Sequence, residues 1–214
     1  VGHFYGDISI QQLNWHQLRL NNLSGHVDIK PHTIALSLNS QAVYGGNLYY
    51  TMLYKGDTVT SKLATHNISL RQLFKKYPCK LRYISGFADL NYAGTKLVSS
   101  NEVTLLDNSI TLDISDAYFT EYLDPISHIL SQNDSKHYPL GHAQERARLA
   151  CHFTRNKSIQ CDKVIIEAPY TKLDGELSIL SKTNQIIGTL KKNYPNKFLL
   201  NFPKSGFNII FDPL

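Results

Sequence analysis

From Ala147 to Pro213 apolar and polar residues alternate with period two, through A-R-L-A-C-H-F, I-Q-C-D-K-V-I-I-E, L-D-G-E-L-S-I-L and a closing G-F-N-I-I-F-D-P. The breaks between these runs carry Asn-Lys, Asp-Gly, Thr-Asn or Lys-Ser-Gly. Successive side chains of a strand point to opposite faces, so this pattern demands strands with one apolar face, joined by short turns. The expected fold is mainly β: a long curved antiparallel meander, as an open groove or sandwich-like, with two or three short helices. Thirteen Tyr and nine Phe against one Trp fit strands better than helices.

The same pattern fills most of the chain. Residues 8–20 read as an extended, partly buried segment, and Leu18–Lys30 turns through Pro31-His32 into Thr33–Ser40. In Ala42–Tyr54 the paired Gly45-Gly46 predict a bulge or sharp bend within a strand. After Lys55-Gly56-Asp57 the strand Thr58–His66 runs back. A short amphipathic helix is expected over Leu70–Tyr77, with Asn67 or Ser69 as its cap and Pro78 as its stop. Lys80–Asn91 reads as a strand, and residues 95–106 and 109–114 as two more around an Asp107-Asn108 turn. Apolar residues at helical spacing follow from Ala117 to Gln132, with Pro125 at a helix start after Asp124. Residues 133–141 are polar and read as a loop. The 214 residues therefore form one β-rich domain, with a subdivision into 1–132 and 143–214 offered by that loop.

One idiom recurs. Leu23-Ser24-Gly25-His26-Val27-Asp28-Ile29, Ile84-Ser85-Gly86-Phe87-Ala88-Asp89-Leu90 and Leu173-Asp174-Gly175-Glu176-Leu177-Ser178-Ile179 share an apolar residue, a small or acidic one, a glycine, then apolar residues at alternate positions. The copies are irregularly spaced, which excludes a fixed-period solenoid. The pattern describes a strand that needs a glycine where it bends.

Catalytic chemistry finds no foothold in the sequence. His137 and His142 stand five apart in a proline-containing loop, without metal-ligand spacing. Cys151 and His152 are neighbours, so on a strand they face opposite ways and cannot act as nucleophile and base. Ser24-Gly25 and Ser85-Gly86 lack the setting of a hydrolase elbow. Gly45-Gly46 has no helix behind it to hold a phosphate. No catalytic residue, metal ligand or cofactor is expected. The net charge of +5 is spread along the chain with no basic run, which gives nucleic-acid binding no support. Its functional reading is attraction to anionic lipid; its plain reading is a lysine-rich surface.

Three cysteines leave one over. A three-residue loop centred on Asn156 sets Cys151 opposite Cys161, close enough for a disulfide; the alternative is two buried thiols packed as small hydrophobes. A bridge would imply an oxidising compartment. Cys79 has no evident partner. No window approaches the roughly 18 apolar residues of a membrane span. The opening Val1-Gly2-His3-Phe4-Tyr5-Gly6-Asp7 has no signal-peptide pattern, and a chain opening on Val is expected to be a fragment or processed product.

The pattern can bind along its length. A sheet curled into a trough, apolar within, gives acyl chains a non-aqueous path. Ile34, Leu36 and Leu38, then Leu48, Tyr50 and Met52, then Val164 and Ile166, are the candidate stripes. A sandwich core would use the same residues, and on packing grounds alone that filled core is favoured.

The order of motifs resembles the C-terminal region of AsmA-like proteins, Gram-negative envelope proteins related to TamB. The resemblance rests on Val43–Leu48, on Asn67–Phe74, on Ile84–Leu90, and on Asp107-Asn108-Ser109-Ile110 where the family has Asp-Gly and an apolar residue. The end matches best, in Ala147–Phe153, Asp162–Pro169, Leu173–Leu177 and Gly206–Pro213. The likeness implies a non-enzymatic periplasmic protein, held at the inner membrane by an N-terminal helix outside this sequence. It implies work in lipid handling or outer-membrane and envelope biogenesis through an apolar β-groove. The partners would be a phospholipid or other envelope lipid, or an envelope protein. A structural interaction module of an envelope or secretion complex, built as a closed β-sandwich, is the alternative.

Overall fold

The computed structural model of the chain describes residues 2–15, 18–75, 84–99, 103–119, 145–154, 158–168, 171–180, 185–191, 195–201 and 208–212. Its strands are β1 (Phe4–Trp15), β2 (Leu18–Lys30), β3 (Thr33–Val43), β4 (Gly46–Lys55) and β5 (Thr58–Ser69), then the helix α1 (Leu70–Lys75). There follow β6 (Ile84–Val98), β7 (Val103–Phe119), β8 (Glu145–Phe153), β9 (Ile159–Ala168), β10 (Thr171–Leu180), β11 (Gln185–Lys191), β12 (Pro195–Asn201) and β13 (Asn208–Asp212). They form one 13-stranded sheet in which spatial order equals chain order, every pair antiparallel. The mainly-β meander expected from the alternation is the fold.

Among the described residues, strands pack substantially only on their neighbours in the sheet, apart from α1, which lies on β5 and β6. Among these residues no second sheet faces the first. The filled sandwich core favoured on packing grounds is therefore not what these strands build; they make a single open sheet. Pairing of β7 with β8 carries that sheet across the polar 133–141 stretch that offered a subdivision.

Turn chemistry explains the hairpins. Pro31 and His32, the latter at φ 59°, connect β2 to β3 in two residues. Tyr44 (φ 49°) and Gly45 (φ 83°) both sit in the left-handed region and close β3 onto β4, so Gly45-Gly46 mark a hairpin turn and not a bend within one strand. Ser69 is the helix cap: its Oγ accepts the Gln72 N–H at 3.4 Å. Asn67 instead donates its N–H to Asp89 at 2.6 Å, beside the register shift between Thr65 and Ile68. Leu70 is buried and Leu73 half-buried; α1 helps close one end of the sheet over Leu20, Val43, Tyr44 and Ile68.

Several boundaries differ from expectation. Residues 95–106, read as one strand, divide between the end of β6 and the start of β7, and residues 8–20, read as one segment, divide between β1 and β2. Asp107-Asn108 is not a turn: β7 runs straight through it, and Asn108 pairs with the main chain of Phe153, donating Nδ2 to its carbonyl at 3.0 Å and accepting its N–H. An amide side chain presents the same donor and acceptor as a peptide group, so Asn108 extends the ladder where backbone pairing stops. Asp174-Gly175 likewise lies inside β10, at a register shift against β9. Ala117–Phe119, given helical spacing above, ends β7 as strand. The helix expected at 125–132 and residues 76–77 of the first helix lie outside the described residues, so α1 is the one helix among them.

The glycine idiom has a steric cause. A Cβ on Gly25 would stand 1.9 Å from the Ser37 carbonyl oxygen, and one on Gly175 would stand 1.9 Å from that of Thr189. In both copies the neighbouring backbone occupies the space a side chain would need. Gly86, the third, sits at a register shift between Ser85 and Phe87.

Candidate functional site

Register decides which side chains share a face, because residues paired across strands point the same way. Leu38 pairs with Tyr50, Tyr50 with Leu63, Leu63 with Tyr92, Tyr92 with Ile110, Ile110 with Cys151, Cys151 with Cys161 and Cys161 with Leu177. A parallel row runs Leu48–Thr65–Leu90–Leu112–Leu149–Val164. Ile34 pairs with Tyr54 and Leu36 with Met52 on the same side. All eight candidates from the sequence thus lie on one face. At about 4.8 Å per strand, the longer row crosses about 34 Å from β3 to β10.

The candidates then divide. Ile34, Leu36, Leu38, Leu48, Tyr50 and Met52 are half-buried. Val164 (3% exposed) and Ile166 (6%) belong to a packed cluster with Ala147, Cys161, Leu173 and Leu190. Access to this face is therefore through β3–β7, while β8–β11 form its densest core. Burial pushes the Tyr50 hydroxyl above its ordinary range, and the nearby Tyr92 adds to the shift. The alternation also places Leu63, Leu90, Tyr92, Ile110 and Leu112 on this face. The turn expected at Asp107-Asn108 hid Ile110 and Leu112, because it broke the register between β6 and β7.

The opposite face carries the charge. His26 and Asp7 are 2.5 Å apart, Lys30 and Asp28 2.8 Å, and His66 and Asp89 2.8 Å. Asp89 is paired in register with Asp113, and two opposed carboxylates would repel. Arg146 answers this with two hydrogen bonds to Asp113, at 2.8 and 2.5 Å, and Arg148 lies at 3.5 Å. The Arg146 hydrogen bonds hold the Asp113 carboxyl below its usual range. Two hollows of about 530 and 430 Å³ lie on this polar face, floored by short side chains such as Ser37, Thr51 and Ala93.

Cys151 and Cys161 are opposite each other and joined in a disulfide across the β8–β9 hairpin. A register shift between Ala150 and Cys151 brings them level. Cys79, His137 and His142 lie outside the described residues. Among the described residues no three His, Cys, Asp or Glu side chains gather as a metal site, and no helix is long and apolar enough to cross a membrane. No protein-family model, curated protein or solved structure matches the chain.

Proposed function

We propose that this chain is a lipid-handling segment of a Gram-negative envelope protein, non-enzymatic and periplasmic, working through its apolar face. The observation that carries the reading is that face: a largely apolar surface with no second sheet over it among the described residues. Such a surface costs free energy in water, and each acyl methylene laid on it recovers about 0.8 kcal/mol. The Cys151–Cys161 bridge supports an oxidising compartment. The motif order shared with AsmA-like proteins supports envelope biogenesis and an inner-membrane anchor N-terminal to this segment.

The test is mass spectrometry of lipids retained by the natively purified protein, with photoreactive residues at Leu36 and Leu48. Retained phospholipid and lipid adducts at both positions are expected. Absence of lipid together with adducts only to protein would replace this reading with a protein-docking module.

A further inference from the structure

The apolar face carries one charge among the residues whose side chains are described, and it is Lys96. Its placement follows from register: Lys96 pairs with Val59 on one side and Leu105 on the other, and Val59 pairs with Tyr54. The preceding Thr95 points to the polar face, its Oγ1 3.5 Å from that of Thr60. The register shift between Thr95 and Lys96 puts Asp107 opposite Thr95 and leaves an apolar leucine opposite Lys96. Asp57, in the neighbouring turn, is tied to β6 through its carbonyl, which accepts the Val98 N–H at 2.7 Å. Lys96 is exposed, and the ion pairs formed by the described residues do not include it.

Two tyrosines stand toward this same end of the face. Tyr54 shares the Lys96 row, with Val59 between them. The Tyr92 ring lies over Gly94: a Cβ there would stand 2.2 Å from the Tyr92 hydroxyl oxygen, so that hydroxyl reaches toward Lys96. Farther along β6 the face turns aliphatic, through Leu90 to Ala88. From Lys96 to Ala88 is eight residues, about 27 Å of strand, against about 15 Å of hydrocarbon depth in one bilayer leaflet. Cation and hydroxyls at one end with aliphatic surface beyond complement a molecule with an anionic head and a long apolar tail.

We infer that Lys96, with the hydroxyls of Tyr54 and Tyr92, forms a headgroup site for an anionic phospholipid whose acyl chains lie along β5–β7 toward Leu90. This rests on the lipid-handling reading and names its ligand class. The proof is a retention assay on the purified protein with phosphatidylglycerol and with diacylglycerol of the same chains, and with glycerol phosphate as competitor. Wild type is expected to retain phosphatidylglycerol about fivefold better than diacylglycerol, the worth of one lysine near an anionic head. Lys96→Gln should lose that preference while holding diacylglycerol as before, and Lys96→Arg should keep it. Equal retention of both lipids by wild type, or a preference that survives in Lys96→Gln, overturns the headgroup site and leaves lipid handling standing. Competition by glycerol phosphate alone as strong as by the phospholipid overturns it in favour of a free-anion site. Retention of neither lipid removes both the site and the lipid-handling reading.

Discussion

Reducing the Cys151–Cys161 disulfide should loosen one region of the sheet and leave the rest unchanged. The bridge closes a loop of sequence separation 10. Loop-closure entropy for such a ring is about 9 cal/mol/K, or about 2.7 kcal/mol at 25 °C. Because strands here pack almost entirely on their sheet neighbours, that loss is not shared across the molecule. It should fall on β8–β10, where Cys161 is 1% exposed within the Ala147–Val164–Leu173 cluster. Hydrogen exchange reads this directly, in a Cys79→Ala background that prevents thiol exchange. Reduction is expected to speed exchange of β8 and β9 amides by about a hundredfold, the equivalent of 2.7 kcal/mol, with β3–β5 amides unchanged. A change below about threefold in β8–β9, or an equal change across all strands, would refute the local-staple argument.

Further outcomes follow from packing and charge. Leu173→Ala empties a fully buried site (0% exposed) and should destabilise the protein by about 2–5 kcal/mol in urea unfolding; a loss under about 1 kcal/mol would mean that the cluster is not close-packed. Gly25→Ala forces a methyl group against the Ser37 carbonyl and should cost about 1–3 kcal/mol by the same measurement, although alanine is the better residue for an ordinary strand. Asp113 has a depressed folded-state pKa, so its pairing with Arg146 stabilises the fold fully above the unfolded value near 3.9 and is lost as pH falls through the folded one. Asp113→Asn should therefore lower stability at pH 7 by about 0.2–1 kcal/mol, the range for solvent-screened pairs, and flatten the decline below pH 4. An unchanged acid limb would show that the pair carries no net stability.

Local signals in the sequence were legible where the physics is local. Pro31-His32 made its turn, Ser69 its cap, and Cys151 met Cys161 because one short hairpin sets that register. Asn108 and Asp174-Gly175 misled because turn-forming residues also serve inside strands. Asn108 does so by imitating the backbone to Phe153, and Gly175 by admitting the Thr189 carbonyl. Nothing local in the sequence marks Lys96; its place on the apolar face comes from pairing with Val59 and from the register shift at Thr95.

The sequence by itself determined that each strand has an apolar and a polar side, since period two leaves no other way to segregate them. Only the tertiary structure decided that all those apolar sides join into one face, from Leu48 through four intervening strands to Val164, because each pairing and each bulge had to keep the same parity. It alone decided as well that no second sheet covers this face among the described residues. Alternation is identical in a sandwich and in an open sheet, and what separates them is whether strands distant in the chain pack on each other.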